Sequence, residues 1–300
     1  MAAKKQFIKF TNKDAFKGYI CILPALLILS VFQIYPIFKA FIMSFYTQYN
    51  YMKDEVYATG FGNFKDIFND PNFWTALKNT GVFVVGVVPA TLVISLFLAV
   101  LLNRKIKFKG LFQSIYFIPF ITSSVAVASV WKWIFDSKFG LLNYLLEFIG
   151  IDPIKWLIDP KWAMTSLIIF SIWKNLGYNI IIILAGLSAI DDTYYRAAKI
   201  DGANKWQTLT KVTIPLLMPT LTYVSIMSLI GSFKVFDEVY ILFERGAGPA
   251  NSCLTLVFYI YDKFVTKYAY GIASAATMVL FAIVLTITLL QLRLSKKYAS

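Results

Sequence analysis

Residues 80–102 read "TGVFVVGVVPATLVISLFLAVLL", 23 positions without a single charge. A helix needs about 20 mainly apolar residues to cross the hydrocarbon of a bilayer, so this stretch predicts a membrane span. The rest of the chain agrees with it. Of its 300 residues, 58% are hydrophobic and only 15% are charged, with a mean hydropathy of +0.65, far more apolar than an ordinary soluble domain. Comparable runs lie at 18–46, 110–135, 162–190, 212–241 and 269–292. The expectation is an all-α polytopic membrane protein with about six transmembrane helices. Pro24, Pro36 and Lys39 predict an interruption in the first span. That run is too long for the apolar core of a signal peptide and has no small-residue cleavage site, so no cleavable leader is expected.

The net charge of +13 raises the question of nucleic acid, and the distribution of basic residues answers it. Lys4, Lys5, Lys9, Lys13, Lys17, Arg104, Lys105, Lys107, Lys109, Arg196, Lys199, Lys205, Lys211, Arg293, Lys296 and Lys297 fall in the termini and alternate loops. That is sixteen against nine in the longer opposite loops. Positive residues are retained on the cytoplasmic side, so both termini are expected there, with residues 1–17 as a cytoplasmic segment, 18–292 as the transmembrane domain and 293–300 as a cytoplasmic tail. No basic face interleaved with aromatics stands apart from the spans, and no nucleic-acid partner is expected. There is no histidine, and the two cysteines are Cys21 and Cys253; no metal site or catalytic constellation is expected.

Between the fourth and fifth apolar runs lies "YYRAAKIDGANKWQTLTKVTIPLLMP" (194–219). Over 191–211 it is much longer than the few residues that commonly join two helices. Asp191, Asp192 and Thr193 offer N-cap oxygens, "YYRAAKI" suits one or two helical turns, Asp201-Gly202 permits a break, and "ANKWQTLTK" can be helical again. Ala203, Trp206 and Leu209 would share one side. The residues support two readings, a docking surface for another protein or an amphipathic helix resting at the membrane.

Tyr195, Ala197-Ala198, Asp201-Gly202-Ala203, Trp206, Ile214-Pro215 and Pro219 resemble the conserved cytoplasmic loop of integral-membrane permease subunits of bacterial ABC importers, most closely the sugar-permease branch. "FGNF" (61–64), "NT" (79–80), "LAGLSAI" (184–190), "FDEVYIL" (236–242) and "YGIASAA" (270–276) fall where that branch carries similar segments. The resemblance implies an inner-membrane subunit of an ATP-driven sugar or oligosaccharide importer, forming the translocation path by alternating access. It implies a second permease subunit, an ATP-binding subunit dimer that holds ATP-Mg, and an extracytoplasmic sugar-binding protein. Tyr195, Arg196, Ala197, Ala198, Asp201, Gly202, Ala203 and Trp206 would then couple the spans to the ATPase. The family usually has Glu where this chain has Arg196, and Gly-Gly-Pro where it has "GAGPANS" (246–252).

The residues themselves narrow the mechanism. ATP hydrolysis needs a glycine-rich loop ending in Gly-Lys-Ser or Gly-Lys-Thr, and Gly-Lys never occurs; energy must come from a partner. An ion-coupled carrier usually keeps a mid-membrane carboxylate, yet the only acids in the expected spans are Asp237 and Glu238. A standalone carrier or facilitator is the alternative, and a structural membrane subunit a third. For a substrate pocket the candidates are Lys174, about twelve positions into the fourth span, with Asn175, Tyr178 and Asn179 at helical spacing beside it. The fifth span adds Ser228, Ser232 and Phe236. Such a set suits a neutral polyol, although Ser and Thr also serve to join helices. Lys132, between Trp131 and Trp133, reads as an interfacial anchor.

Overall fold

The computed structural model describes residues 12–103 and 107–299. Lys4, Lys5, Lys9, Arg104 and Lys105 of the charge count lie outside the described residues, as do most of the 1–17 segment and Ser300. Among the described residues the only strands form one hairpin, and five helices are long and apolar enough to cross a membrane, with a sixth candidate formed by a bent pair.

The first span is α1 (Asn12–Leu29) running through a π-helical turn at Ser30–Ile34 into α2 (Tyr35–Met43). The expected interruption therefore takes the form of a widened turn between Pro24 and Pro36. Next comes a hairpin that the apolar pattern gave no hint of, β1 (Tyr46–Asn50) pairing antiparallel with β2 (Glu55–Thr59). The Asn50 side chain accepts the N–H groups of Met52 and Lys53 and closes the turn. After α3 (Gly62–Asn69), the second span α4 (Pro71–Leu102) begins nine residues before residue 80. Asp70 accepts the Asn72 N–H as N-cap and Pro71 takes the first helical position, a start signal that outweighs the polar character of the first turns.

The third expected span, 110–135, is not one helix. α5 (Lys109–Ile121) and α6 (Ser124–Ile134) meet at 100°. Thr122 and Ser123 are extended at the corner, with ψ of 148° and 127°, and Pro119 precedes it in α5. Apolar composition on both sides conceals such a break. A short α7 (Leu141–Glu147) follows, then the fourth span α8 (Pro160–Ser188), capped by Asp159.

The polar segment forms α9 (Asp192–Ile200) and α10 (Lys205–Thr208), and a π-helical turn at Leu209–Thr213 leads into α11 (Ile214–Phe233). The fifth span ends at Phe233, eight residues short of 241. Lys234 and Phe236 leave the helical conformation, and Asp237–Leu242 forms a separate short helix, α12. Asp237 and Glu238 are therefore not part of the span. α13 (Leu256–Tyr261) precedes the last span, α14 (Tyr270–Ala299).

α4 lies against α8 and α11, α5 against α8, and α14 against α11 and α2. One core packs Phe73, Phe83, Trp131, Phe135, Leu167, Phe170 and Tyr259 at the end bearing the hairpin; a second packs Ile180, Ile183, Leu187, Leu217 and Val224 near the polar segment. Side-chain amides tie the connections between them. Asn63 donates to the carbonyls of Ser44 and Tyr46, Asn79 to those of Asn251 and Leu254, and Thr80 accepts the Leu256 N–H. Asn143, 4% exposed, donates to three carbonyls and accepts from the Ile154 N–H and the Trp156 indole. Each such bond contributes about 1 kcal/mol, and more is lost if a buried partner is orphaned.

Asp70 does more than cap α4. Burial alone would raise its carboxyl, but hydrogen bonds from Lys263, the Asn72 N–H and Tyr259 outweigh that and hold it below the usual carboxylate range. A carboxyl lowered in the folded state stabilises the protein above its unfolded pKa of about 3.9, and the contribution is lost as pH falls through the folded value. The expected result is that Asp70→Asn flattens the acid limb of a stability-against-pH curve below about pH 4; an unaltered acid limb would remove Asp70 from it.

Candidate functional site

α4, α8 and α11 do not close completely on one another. Between them, roofed by α12 and the turn before it, lies a cavity of about 500 Å³. α8 contributes Ser171, Asn175, Tyr178 and Asn179, and α11 contributes Ser228 and Ser232. The one-turn steps that put these residues on one face make them converge. Asn179 donates to the Ser228 hydroxyl at 3.1 Å, and Asn175 to the Ser171 carbonyl at 2.8 Å, which leaves the amide oxygens as acceptors. Phe236, in the non-helical turn between α11 and α12, lines the outer side. Six of the seven expected pocket residues are thus brought together.

Lys174 is the exception. It does not line the cavity; its ammonium bonds the Glu238 carboxylate at 2.8 Å and the Ser124 hydroxyl at 2.8 Å. It ties α8 to α12 and to the first residue of α6, and so fixes the roof. The sequence shows a deep cation and, separately, two acids in the fifth apolar run, but not the pairing of Lys174 with Glu238, which depends on the break at residue 234. Lys132 likewise meets Glu244 and ties the far end of α6 to the chain after α12, so it is more than an interfacial anchor.

Two wall elements escaped the sequence. Phe120, beside the α5 and α6 corner, stacks on Tyr178 with centroids 4.9 Å apart and planes at 24°. Thr91 and Ser171, 1% and 2% exposed, line the cavity with hydroxyls that have no protein partner. Most helical Ser and Thr bond to the preceding turn, as Thr80 does here, so nothing in the spacing distinguishes these two. Besides Lys234, Asp237 and Glu238 at the roof, the walls offer hydroxyls, amides and flat apolar faces.

At the opposite end, the polar segment is a helix, turn and helix as expected. Asp191 caps α9, and the Thr193 hydroxyl and N–H hold its carboxyl below the usual range. α9 ends when the Ala203 N–H donates to the Ala198 carbonyl and the Gly202 N–H to that of Lys199, with Gly202 at φ +75°, the left-handed close that favours glycine. Asn204 and Gln207 then form a reciprocal capping box. Arg196, Ala197, Asp201, Gly202 and Trp206 are exposed, Trp206 by 71%, whereas Tyr195 and Ala203 are half-buried. Ala198 is 7% exposed: it packs within this chain and is not available to a partner.

Residues 91–300 match the model of the family described as the binding-protein-dependent transport system inner membrane component. The chain is 41% identical to the lactose transport system permease protein LacF of Rhizobium radiobacter over 90% of this chain and 91% of that one. It is 34% identical to the arabinooligosaccharides transport system permease protein AraP of Bacillus subtilis over 96% and 91%. Among solved structures it is similar, with a TM-score of 0.83 and 25% identity over 96% of this chain and 98% of that one, to a chain of a bacterial ABC transporter involved in the import of the acidic polysaccharide alginate. A cavity walled by spanning helices, an exposed polar helix pair and these relationships have one common explanation: the chain belongs to the binding-protein-dependent transport system inner membrane component family, the non-enzymatic membrane permeases of ABC transporters.

Proposed function

We propose that this permease carries a neutral sugar or oligosaccharide through the cavity between α4, α8 and α11. The observation that supports this most directly is the pair of buried, unpartnered hydroxyls of Thr91 and Ser171 beside the amides of Asn175 and Asn179. An unpaired buried hydroxyl costs free energy, and a polyhydroxylated solute offers what each lacks. Phe120, Tyr178 and Phe236 supply the flat faces on which sugar C–H groups stack. The named relatives in lactose and arabinooligosaccharide transport favour the same class.

On this reading 18–292 is the permease domain, with 1–17 and 293–300 cytoplasmic at the bacterial inner membrane. The 191–211 loop seats in an ATP-binding subunit dimer that binds ATP-Mg, with Tyr195, Arg196, Ala197, Asp201, Gly202, Ala203 and Trp206 as the contact region. A second permease subunit completes the path, and an extracytoplasmic binding protein delivers the sugar. Uptake of radiolabelled neutral oligosaccharides by the reconstituted transporter tests the pocket. Asn179→Leu is expected to lower uptake about tenfold or more through the lost hydrogen bond and the orphaned Ser228. In the same preparation Gly202→Val, which meets no atom within 4 Å but must hold φ +75°, costs about 1 to 3 kcal/mol of backbone strain and should reduce co-purification of the ATPase. Wild-type uptake with Asn179→Leu would sink the pocket assignment, and wild-type association with Gly202→Val would reduce the loop to an interfacial helix.

A further inference from the structure

Besides Thr91 and Ser171, Ser95 on α4 and Thr288 and Gln291 on α14 carry buried side-chain oxygens without a protein partner; among the described residues only Ser252, in the outer connection, adds to this set. Their placement is not scattered. Ser95 is fully buried one turn from Thr91, away from the roof, and at 100° per residue it stays on nearly the same face of α4. On α11, Ser232, Ser228 and Ser225 also share one face. Ser232 and Ser228 line the central cavity, while Ser225 accepts a hydrogen bond from the Gln291 amide at 3.1 Å, whose own oxygen has no partner.

Ser225 and Gln291 in turn line a second cavity of about 340 Å³, with Leu92, Leu96, Leu221 and Thr222. It lies between α4, α11 and α14 at the end where α11 emerges from the 191–211 segment. Two helices, α4 and α11, therefore line both cavities. Ser95 stands between Leu92 and Leu96 on α4 and Thr288 one turn before Gln291 on α14, so both lie level with the second cavity without lining it, and the protein leaves their hydroxyls unfilled.

We propose that Ser225, Gln291 and Thr222 form a second station for a polyhydroxylated solute, inward of the central cavity, backed by the unfilled hydroxyls of Ser95 and Thr288 and shut in this conformation by the hydrogen bond from Gln291 to Ser225. The inference rests on the central cavity carrying a saccharide. Orphaned polar groups among packed helices are costly, and a hydroxylated solute in transit compensates them. The mainly apolar walls of the second cavity, with only a few hydroxyls and one amide, make a weak site. A station on an exit route must bind loosely enough to release.

The test uses the whole transporter with its second permease, ATPase and binding protein, Cys21→Ser and Cys253→Ala removing the native thiols, and lactose, maltose, trehalose and arabinotriose as solutes. Gln291→Leu is expected to lower uptake about tenfold. Ser225→Cys should react with a charged, membrane-impermeant thiol reagent from the ATPase side at a rate that rises during ATP turnover and falls when a transported sugar is in excess. Asn179→Leu is run in parallel. If Asn179→Leu impairs uptake while Gln291→Leu transports normally and the thiol at 225 ignores both sugar and ATP, the seam is helix packing and the station is refuted while the central pocket stands. If Asn179→Leu is itself without effect, the pocket reading falls and the station with it. If Gln291→Leu fails to assemble, the thiol rates alone decide, with sugar protection supporting the station and indifference to sugar overturning it.

Discussion

Lys174→Met is expected to destabilise the chain by about 3 to 5 kcal/mol, the cost of stripping one partner from a buried ion pair. Lys174 and Glu238 retain 11% and 17% of their side-chain exposure, and the methionine leaves the Glu238 carboxylate in the wall of the cavity without its ammonium partner. Glu238→Met should cost a similar amount by exposing the opposite charge. The double replacement should recover most of the loss, because two apolar side chains of similar volume pack where the pair stood. The measurement is the fraction of assembled transporter surviving graded heating for the two single variants and the double. Additive losses would show that the two groups do not depend on each other. Uptake should follow the same order, since the pair positions α12 and Phe236, and Glu238 itself lines the cavity.

Gly177→Ala is expected to be the most damaging single methyl in the molecule. A Cβ at this position of α8 would stand 1.9 Å from the carbonyl oxygen of Tyr116 and 2.6 Å from its carbon. No side-chain rotation relieves a collision with backbone, so α5 must move away as a body. Overpacking of this kind costs about 1 to 3 kcal/mol or more, against about 0.5 to 1 kcal/mol gained from alanine in a helix. Its functional effect exceeds its thermodynamic one because Phe120, at the far end of α5, would lose its stack on Tyr178. Gly81→Ala on α4, with nothing within 4 Å of the new Cβ, is the control and should be silent. Uptake and heat resistance of the two variants compared side by side decide it; equal behaviour would mean that α5 is free to yield.

The membrane class, five of the six spans and the helix, turn and helix of the polar loop were legible because each depends on local features: apolar length, the caps at Asp191 and the break at Gly202. Asn175, Tyr178, Asn179, Ser228 and Ser232 were legible as cavity-lining for a related reason, since a helical face is fixed by spacing alone, whereas Phe236 reaches the same cavity from a non-helical turn. What stayed hidden was set by contacts distant in the chain. Nothing near Thr122 says that the third apolar run turns through 100°, and nothing near Lys234 says that the fifth stops there. With those breaks unseen, Lys174 reads as a free cation facing a solute, although its partner is Glu238. The hairpin at 46–59 was missed because each strand is only five residues long and neither carries a buried apolar face. The motif residues Asn63, Asn79 and Thr80 were visible as resemblance but not as what they do, which is to pin remote carbonyl and amide groups of the outer connections. Ala198 shows the converse: its size suited a docking surface, yet tertiary packing had already claimed it.

The corner between α5 and α6 bears on how long the chain survives by itself. At about 1.5 Å per residue, the 13 residues of α5 extend about 20 Å, short of the roughly 30 Å of hydrocarbon. Ile118, Ile121 and Val125 are more than half exposed around an extended Thr122 and Ser123, and a non-helical stretch at membrane depth is tolerated only against protein or water. The Thr122 N–H donates to the Ile118 carbonyl and the Ser123 carbonyl accepts the Val127 N–H, and lipid offers no partner to the remaining backbone groups of that corner. A subunit without a protein cover over this corner is therefore expected to turn over faster than an assembled one.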